Sequence, residues 1–496
     1  MRAYLTGSAV ASVVGFVVVG CSGGDSGLGS DAGGDTNTAD VVTDAASDVV
    51  VPQNCDLTAD ITASPACVDD GIGVFVDTTN GSDTNTGSKA SPFKTIAKGI
   101  GAAGAKPRVY VCDGIYPEDV SLTEANAISI YGGLACVAWT YDGNQPTVGT
   151  STLALHVDGA TKPVVLSDLA FQAANGVNPG DSSVAAFVNA STQVTLRRVK
   201  LRPGTGQAGG PGVTGSNWTT VAQSDTSIIG GSATNGTGGP AHACTLCMDS
   251  VNSTGGGGGS GGATTQSAGD NGSPNLSGTS PTDGKGGAAG CMAGDNGPNG
   301  PAANAALGAT AVGKLTSTGW SPAGGESGGN GSPGQGGGGG GGTGSLTSPG
   351  GGAGGGCGGC GGAAGQAGMG GGSSIGLMSV MSTVILASCD ILTVAAGNGG
   401  SGSAGQPGQL GGYAGKAVSP GCAGGVGGEG GTGGAGGGGA GGLSVGIVWT
   451  NTQPTMDQTT NIVVPSAPAT KGTGGLPGTN DGIDGLAQAT FQASST

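Results

Sequence analysis

The chain has 496 residues, of which 116 are glycine, while only 3% are aromatic and 9% charged. So few large side chains exclude one deep globular core, and a formal charge of −16 disfavours nucleic acid and anionic lipid surfaces as partners. Glycine is gathered into tracts that interrupt short apolar segments, which suits a scaffold carrying insertions.

At the N-terminus, Arg2 precedes an apolar run from Ala9 to Val19, and Val18-Val-Gly-Cys21 follows as a small-residue processing site. The run is too short for a membrane span and breaks abruptly into Ser, Gly and Asp. The segment resembles the lipobox of bacterial lipoproteins. That resemblance implies that Cys21 is acylated and becomes the new N-terminus, with the membrane as partner through the acyl anchor. Ser22 in the next position resembles an outer-membrane sorting signal; a plain signal peptide is the alternative reading. Residues 22–71 read as an acidic low-complexity tether, disordered to about Asn54. There is no Lys or Arg from Ser22 to Ser88, and too little apolar surface to offset ordering.

From Gly73 the text changes. Val74-Phe-Val76 predicts a strand and Asp77 to Ser88 a polar turn. Ser91-Pro-Phe-Lys-Thr-Ile-Ala-Lys-Gly-Ile100 predicts a short helix with Ser91 as N-cap and Pro92 at the first position. Short apolar runs at Arg108–Cys112, 128–131, 153–157, 164–166, 185–188 and 194–196 predict strands separated by Gly, Asp, Asn and Pro turns. Strands without helices between them fit the coils of a solenoid. Phe75-Val-Asp77, Gly81-Ser-Asp83, Ser91-Pro-Phe-Lys-Thr-Ile96, Gly114-Ile-Tyr-Pro-Glu118 and Ile130-Tyr-Gly-Gly133 resemble the opening of right-handed parallel β-helix proteins of the pectate-lyase-like superfamily. The resemblance implies an all-β fold, a right-handed parallel β-helix whose short N-terminal helix caps the first coil.

Two segments, 182–201 and 373–392, register apolar on apolar once Gln193 is skipped, and each runs into glycine. They are expected to stack as neighbouring coils, with 443–464 as a third, degenerate copy. Between them, glycine occupies two of every three positions in 424–437, with Val426, Glu429, Thr432 and Ala435 in the third frame. Three residues per turn is the period of an extended left-handed helix. Near absence of proline argues against collagen, which leaves bundled polyglycine II rods, with disordered linker as the alternative. The expected boundaries are 1–21 signal peptide, 22–71 tether, 72–202 β-helix coils, 203–372 insertion, 373–395 coil, 396–442 period-three insertion, 443–471 final coil and 472–496 polar tail.

An oxidising compartment favours disulfides among the 12 cysteines, and removing Cys21 leaves an odd number. Cys55 with Cys67 and Cys112 with Cys136 are expected as local bridges. Cys244-Thr-Leu-Cys247 and Cys357-Gly-Gly-Cys360 could join a zinc site or a redox dithiol, but structural disulfides suit an exported chain better. Asp77, Asn80, Ser82, Asp83 and Asn85 offer oxygens for calcium, although an Asx-rich turn is the simpler reading. Trp139 and Tyr141 are weighed as a sugar-stacking pair against packing at a coil edge. Pectic enzymes of this fold use basic residues beside clustered carboxylates. Arg197, Arg198 and Lys200 lack such a cluster, so no catalytic residue, metal or cofactor is assigned, and Arg197 is expected outward with residues 195 and 199. The expectation is a lipid-anchored structural or adhesive surface protein meeting a glycan or protein ligand; the alternative is a carbohydrate-binding or polysaccharide-degrading β-helix, with ice binding a third possibility that no regular Thr-x-Thr array supports.

Overall fold

The computed structural model describes residues 51–276 and 283–494; Cys21 and the tether up to residue 50 lie outside the described residues. The first coil contains β1 (Gly73–Val76) and α1 (Ile96–Ala102). Then come β2 (Arg108–Cys112), β3 (Ile115–Tyr116) and β4 (Val120–Thr123), followed by β5 (Ser129–Leu134), β6 (Thr147–Val148) and β7 (Leu153–Asp158). The next coil is β8 (Val164–Ser167), β9 (Ala170–Gln172) and β10 (Ser183–Asn189), and the one after it opens with β11 (Val194–Arg197) and β12 (Lys200–Arg202). The first long insertion carries two antiparallel pairs, β13 (His242–Ala243) with β14 (Thr254–Gly255) and β15 (Gly313–Thr316) with β16 (Gly319–Pro322). The scaffold resumes with β17 (Ser374–Val380), β18 (Val384–Ala387), β19 (Asp390–Leu392) and β20 (Leu443–Thr450), and ends with β21 (Thr455–Met456), β22 (Asn461–Val463) and β23 (Leu486–Gln492).

These strands stack into three parallel sheets, ordered β1-β2-β5-β8-β11-β18-β21, β4-β7-β10-β17-β20-β23 and β3-β6-β9-β12-β19-β22. The protein is therefore a parallel β-helix. Like residues stack along it: Val164, Val194 and Val384 form one row, and Val148, Phe171, Leu201, Ile391 and Ile462 another. Apolar side chains from all three sheets fill the lumen. The duplicated segments are immediate neighbours. Ser183 pairs with Ser374 and Asn189 with Val380, then Val194 pairs with Val384, a register one residue shorter, as skipping Gln193 requires. The chain turns sharply at two corners by placing single residues at positive φ. Asp168, Arg198 and Ser388 do so at one, and Gly159, Ala190, Met381 and Asn451 at the other.

Three boundaries differ from the sequence reading. The helix begins at Ile96, not after Ser91, because Phe93 is drawn into a parallel bridge with Val76. Thr95 is its N-cap, accepting from the Lys98 N–H, and the Glu118 carboxylate accepts from the amides of Ile96 and Ala97. The tether ends before residue 71. Cys55 and Cys67 are bridged, and Ile61, Val68 and Ile72 are buried with Phe75, Tyr110 and Trp139 on the outer face of the first sheet. The polar tail is not a tail either: β23 pairs with β20 over six registered positions from Leu443↔Leu486 to Trp449↔Gln492.

The glycine tracts are ordered rods bonded side to side. Gly325, Gly328, Gly331, Gly334, Gly337 and Gly340 donate to the carbonyls of Gly368, Gly365, Gly362, Gly359, Gly356 and Ala353 at 2.8 to 3.0 Å, so these rods run antiparallel. In 422–440 each frame has its own neighbour. Gly425, Gly428, Gly431, Gly434 and Gly437 donate to rod 326–338, and Gly427, Gly430, Gly433, Gly436 and Gly439 donate to rod 400–412. The carbonyls of Val426, Glu429, Thr432 and Ala435 accept from Gly297, Gly300, Ala303 and Ala306. This explains the Gly-Gly-x text: the first two frames have backbone against them, and only the third leaves room for a side chain. The described residues of the irregular stretch 263–313, which are 263–276 and 283–313, join the same bundle. A latch ties it to the β-helix, where Val312, Leu315 and Trp320 cover Phe187, Met378 and Val448 on the outer face of the β10-β17-β20 sheet.

A Cβ on Gly430 would overlap the carbonyl of Cys360, closer than 3.0 Å. Gly430→Ala should therefore cost about 1–3 kcal/mol, while Glu429→Ala, exposed and in the third frame, should stay within about 0.5 kcal/mol of the parent. Denaturant unfolding of the two variants measures the difference.

Candidate functional site

All four glycine-bearing excursions, residues 173–182, 203–373, 393–442 and 464–485, leave the β-helix at the same corner, between the sheet of β9, β12, β19 and β22 and the sheet of β10, β17, β20 and β23. A rod such as 351–372 at about 3.1 Å per residue carries chain roughly 65 Å from that corner. At its far end the turns between rods meet. Gly236 N–H donates to the Pro349 carbonyl at 3.2 Å, Ser345 N–H to Gly262 at 3.1 Å, Gly344 N–H to the Gln266 side chain at 3.1 Å, and the Thr343 hydroxyl to Pro420 at 3.0 Å. The Cys291–Cys422 disulfide ties two further segments there. This tip displays Thr234, Asn235, Thr264, Thr265, Leu346 and Thr347; Leu346 is 82% exposed. Its turns, residues 234–237, 262–267, 288–293, 343–349 and 416–421, hold Lys416 and no Asp or Glu, in a chain with a net charge of −16.

The cysteines resolve in an unexpected way. Cys55–Cys67 and Cys112–Cys136 are bridged. The two Cys-x-x-Cys motifs neither close on themselves nor gather around one point: Cys244 pairs with Cys357 and Cys247 with Cys360, each with a separation of 113. In a rod with three residues per turn, i and i+3 share a face. Two such segments side by side thus form a ladder of two disulfides, and this spacing marks a rod. The sequence signal was present in the glycines between Cys357 and Cys360. Cys389 is left as a buried thiol, which burial pushes up to about 11.

The remaining candidates are occupied by structural work. Asp77 accepts from the amides of Thr79 and Asn80, and Asp83 from those of Lys94 and Thr95, so the loop oxygens are spent on an Asx-rich turn. Asp77 lies near Cys112 and Cys136, but their sulfurs are joined to each other and offer no thiolate. Trp139 is 4% exposed, packs edge-on against Phe75 and donates to the Lys89 carbonyl, while Tyr141 donates to Asp168. They do not form a joint stacking surface.

Arg197 and Arg198 clamp the N-terminal segment onto the coils. Asp60 receives Arg197 Nη1 at 2.8 Å and Arg198 Nη2 at 2.9 Å, and Arg198 also grips Asp168 through Nε and Nη2 at 2.7 Å each. Arg197 points outward with Thr195, as alternation predicts, but Val199 is buried, because Arg198 turns the corner with φ 49° and resets the alternation.

Residues 79–202 match the family described as a protein of unknown function, DUF1565. The match stops where β12 ends and the first long insertion begins, so it covers β-helix coils and none of the rods. No curated protein and no solved structure matches the chain at a significant level.

Two measurements check this description. Non-reducing peptide mapping should recover the pairs 244–357 and 247–360, and among the described residues thiol titration should find one group, Cys389, that reacts only after unfolding. In the chain-entropy account, closing a loop of this size is worth roughly 4–5 kcal/mol. Removing one rung of the ladder should cost far less than removing both, because either one already closes the loop. The second measurement concerns Asp60. Burial raises its pKa, but the Thr62 amide and the two guanidinium groups outweigh it and hold the carboxyl far below the usual range. A carboxyl lowered on folding contributes stability that is fully present above the unfolded value of about 3.9 and is lost as pH falls. Proteolytic sensitivity of residues 51–72 should accordingly rise below about pH 4, and Asp60→Asn should produce it at neutral pH.

Proposed function

We propose that the protein is exported, anchored in the outer membrane through acylated Cys21, and serves a structural or adhesive role at the cell surface. The acidic segment before residue 51 acts as spacer, the β-helix as base and the glycine bundle as a stiff arm. The arm's tip meets a surface glycan or protein ligand. The carrying observation is the tip itself: loops remote in sequence converge at the far end of backbone-bonded rods, are stapled there by Cys291–Cys422, and expose hydroxyl, amide and apolar groups without an acidic side chain. An acid-free pole on a strongly acidic molecule can approach a negatively charged cell surface with less repulsion than the rest of the chain.

Mass spectrometry of the mature N-terminus should find acylated Cys21, and Cys21→Ser should release the protein from the membrane fraction. Cells displaying a variant with Thr264, Thr265, Leu346 and Thr347 changed to Asp should lose attachment that the parent confers, at equal surface level. Unaltered attachment, or depolymerisation of a polysaccharide by the purified protein, would overturn the adhesive reading.

A further inference from the structure

Asn-Gly is the dipeptide at which a polypeptide loses its side-chain amide most readily. Glycine has no Cβ to hold its backbone nitrogen away from the preceding carboxamide, so that nitrogen can attack Asn Cγ. The chain contains eight such pairs, and all eight asparagines are exposed. Exposure therefore does not separate them. Hydrogen bonding does.

Four pairs close a clasp on one residue of a neighbouring segment. The Asn oxygen accepts from that residue's N–H, and the following Gly N–H donates to its carbonyl. Asn296 and Gly297 hold Val426 in this way, and Asn299 and Gly300 hold Glu429. Asn398 and Gly399 hold Thr470, and Asn175 and Gly176 hold Thr205, every bond lying between 2.7 and 2.9 Å. Two more spread the same grip over two residues. Asn330 accepts from Ala364 while Gly331 donates to Gly362, and Asn271 accepts from Gly286 while Gly272 donates to Gly284. Asn80 lies in the Asx-rich turn, its Nδ2 donating to Asp77 Oδ2 and the Gly81 N–H to the Asp77 carbonyl, both at 2.9 Å. In all seven the carboxamide is fixed and the glycine proton is already given to a carbonyl.

Asn235 differs. It sits in a two-residue turn at the tip, closed by reciprocal backbone bonds between Thr234 and Thr237 at 3.0 Å, with Gly236 at φ 69°. Its carboxamide makes no hydrogen bond among the described residues. Gly236 N–H reaches only the Pro349 carbonyl, at 3.2 Å the longest of the eight glycine bonds. We propose that Asn235 is a spontaneous deamidation site, through which the tip gains negative charge as the protein ages. The Gly236 nitrogen gives up its proton to solvent and bonds to Asn235 Cγ. The Cγ–Nδ2 bond breaks, ammonia leaves, and a cyclic imide closes. Water then opens the imide at either carbonyl and leaves aspartate or isoaspartate at this position. The balance is one water taken up and one ammonia released, with no oxidant or reductant. The product places a carboxylate among turns that hold Lys416 and no Asp or Glu. The chemistry is independent of acylation at Cys21 and of whatever the tip binds.

The test is incubation of the intact, oxidised protein in mildly alkaline buffer, with samples digested and read by mass spectrometry for exchange of amide nitrogen for oxygen. A digest made at the start subtracts what digestion itself adds. Asn235 should deamidate at least about tenfold faster than any of the other seven, a difference of ~1.4 kcal/mol, the worth of about one net hydrogen bond. The reduced, urea-unfolded chain should lose this ranking, because there the clasps are gone. Asn235→Ser, an exposed change, should abolish the first acidic species seen on anion exchange and leave the other seven rates as they were. A faster rate at a clasped pair, a ratio below tenfold, or the same ranking in the unfolded chain each overturns the proposal.

Discussion

Lateral N–H···O=C bonding between three-residue-per-turn rods is the constraint on which most of this molecule depends. An isolated extended rod has no internal hydrogen bond, and ordering its backbone costs about 1–2 kcal/mol per residue, most for glycine. A buried amide left unpaired would add to that cost. The bundle meets both demands only by giving each frame of an inner rod its own neighbour, as in 422–440, where two frames donate to two rods and the third accepts from another. Its interior contains almost no apolar side chain: residues 333–342 and 350–362 are buried, and they are glycine apart from Pro333, Gln335, Ala353, Cys357 and Cys360. The core is peptide against peptide. Gln335, buried among them, is satisfied by donating to Gly272 and Asp283 and accepting from Leu276.

Such a bundle cannot choose its own register, since one Gly-Gly-x triplet is chemically like the next. The β-helix supplies that information. Residues 372, 397 and 442 sit at the foot of three rods, and each is fixed by a neighbouring apolar strand whose pairing is set by side-chain volume, as Ile375 against Val184 and Val445 shows. The disulfides fix the other end: the ladder at 244–357 and 247–360 and the staple at 291–422 join rods at points where a three-residue slip would separate the sulfurs. Hydrophobic stacking sets phase at the base, covalent cross-links set it further out, and hydrogen bonds fill the interval.

This division of labour explains what could be read from the sequence. The apolar coils were legible because volume and alternation leave a pattern, down to the one-residue offset at Gln193. The rods were legible where all three frames repeat strictly, and not in 263–313, where outer positions tolerate Asn, Pro and Ala and blur the period. The helix start was misplaced because local capping chemistry at Ser91 lost to a tertiary bridge between Phe93 and Val76. Residues 55–71 resembled tether because, beyond their local disulfide, their order comes from partners outside the segment: Phe75, Tyr110 and Trp139 against its apolar residues, and Arg197 and Arg198, more than a hundred positions away, on Asp60. Which turns form the tip was not legible in the sequence, since turns between rods carry no signal of which turns will meet.

The same rule indicates where function can reside. In an inner rod such as 422–440 two frames of three are closed to side chains, and in an outer rod such as 397–412 only one is, the others lying on a flank at a spacing set by the backbone. Variation in chemistry is therefore confined to three kinds of place: the outer flanks, the turns at the far end, and any position where the lattice stops short. Flank residues repeat at one pitch and can present only a row. The turns can present an arbitrary group of side chains, whereas a gap in the lattice is closed by side-chain caps, as Asn330 and Ser327 accept from the amides of Ala364 and Ala367. A bundle whose core is nearly all glycine is thus restrictive in its interior and permissive at its boundaries, and the tip is the boundary where unlike groups come together.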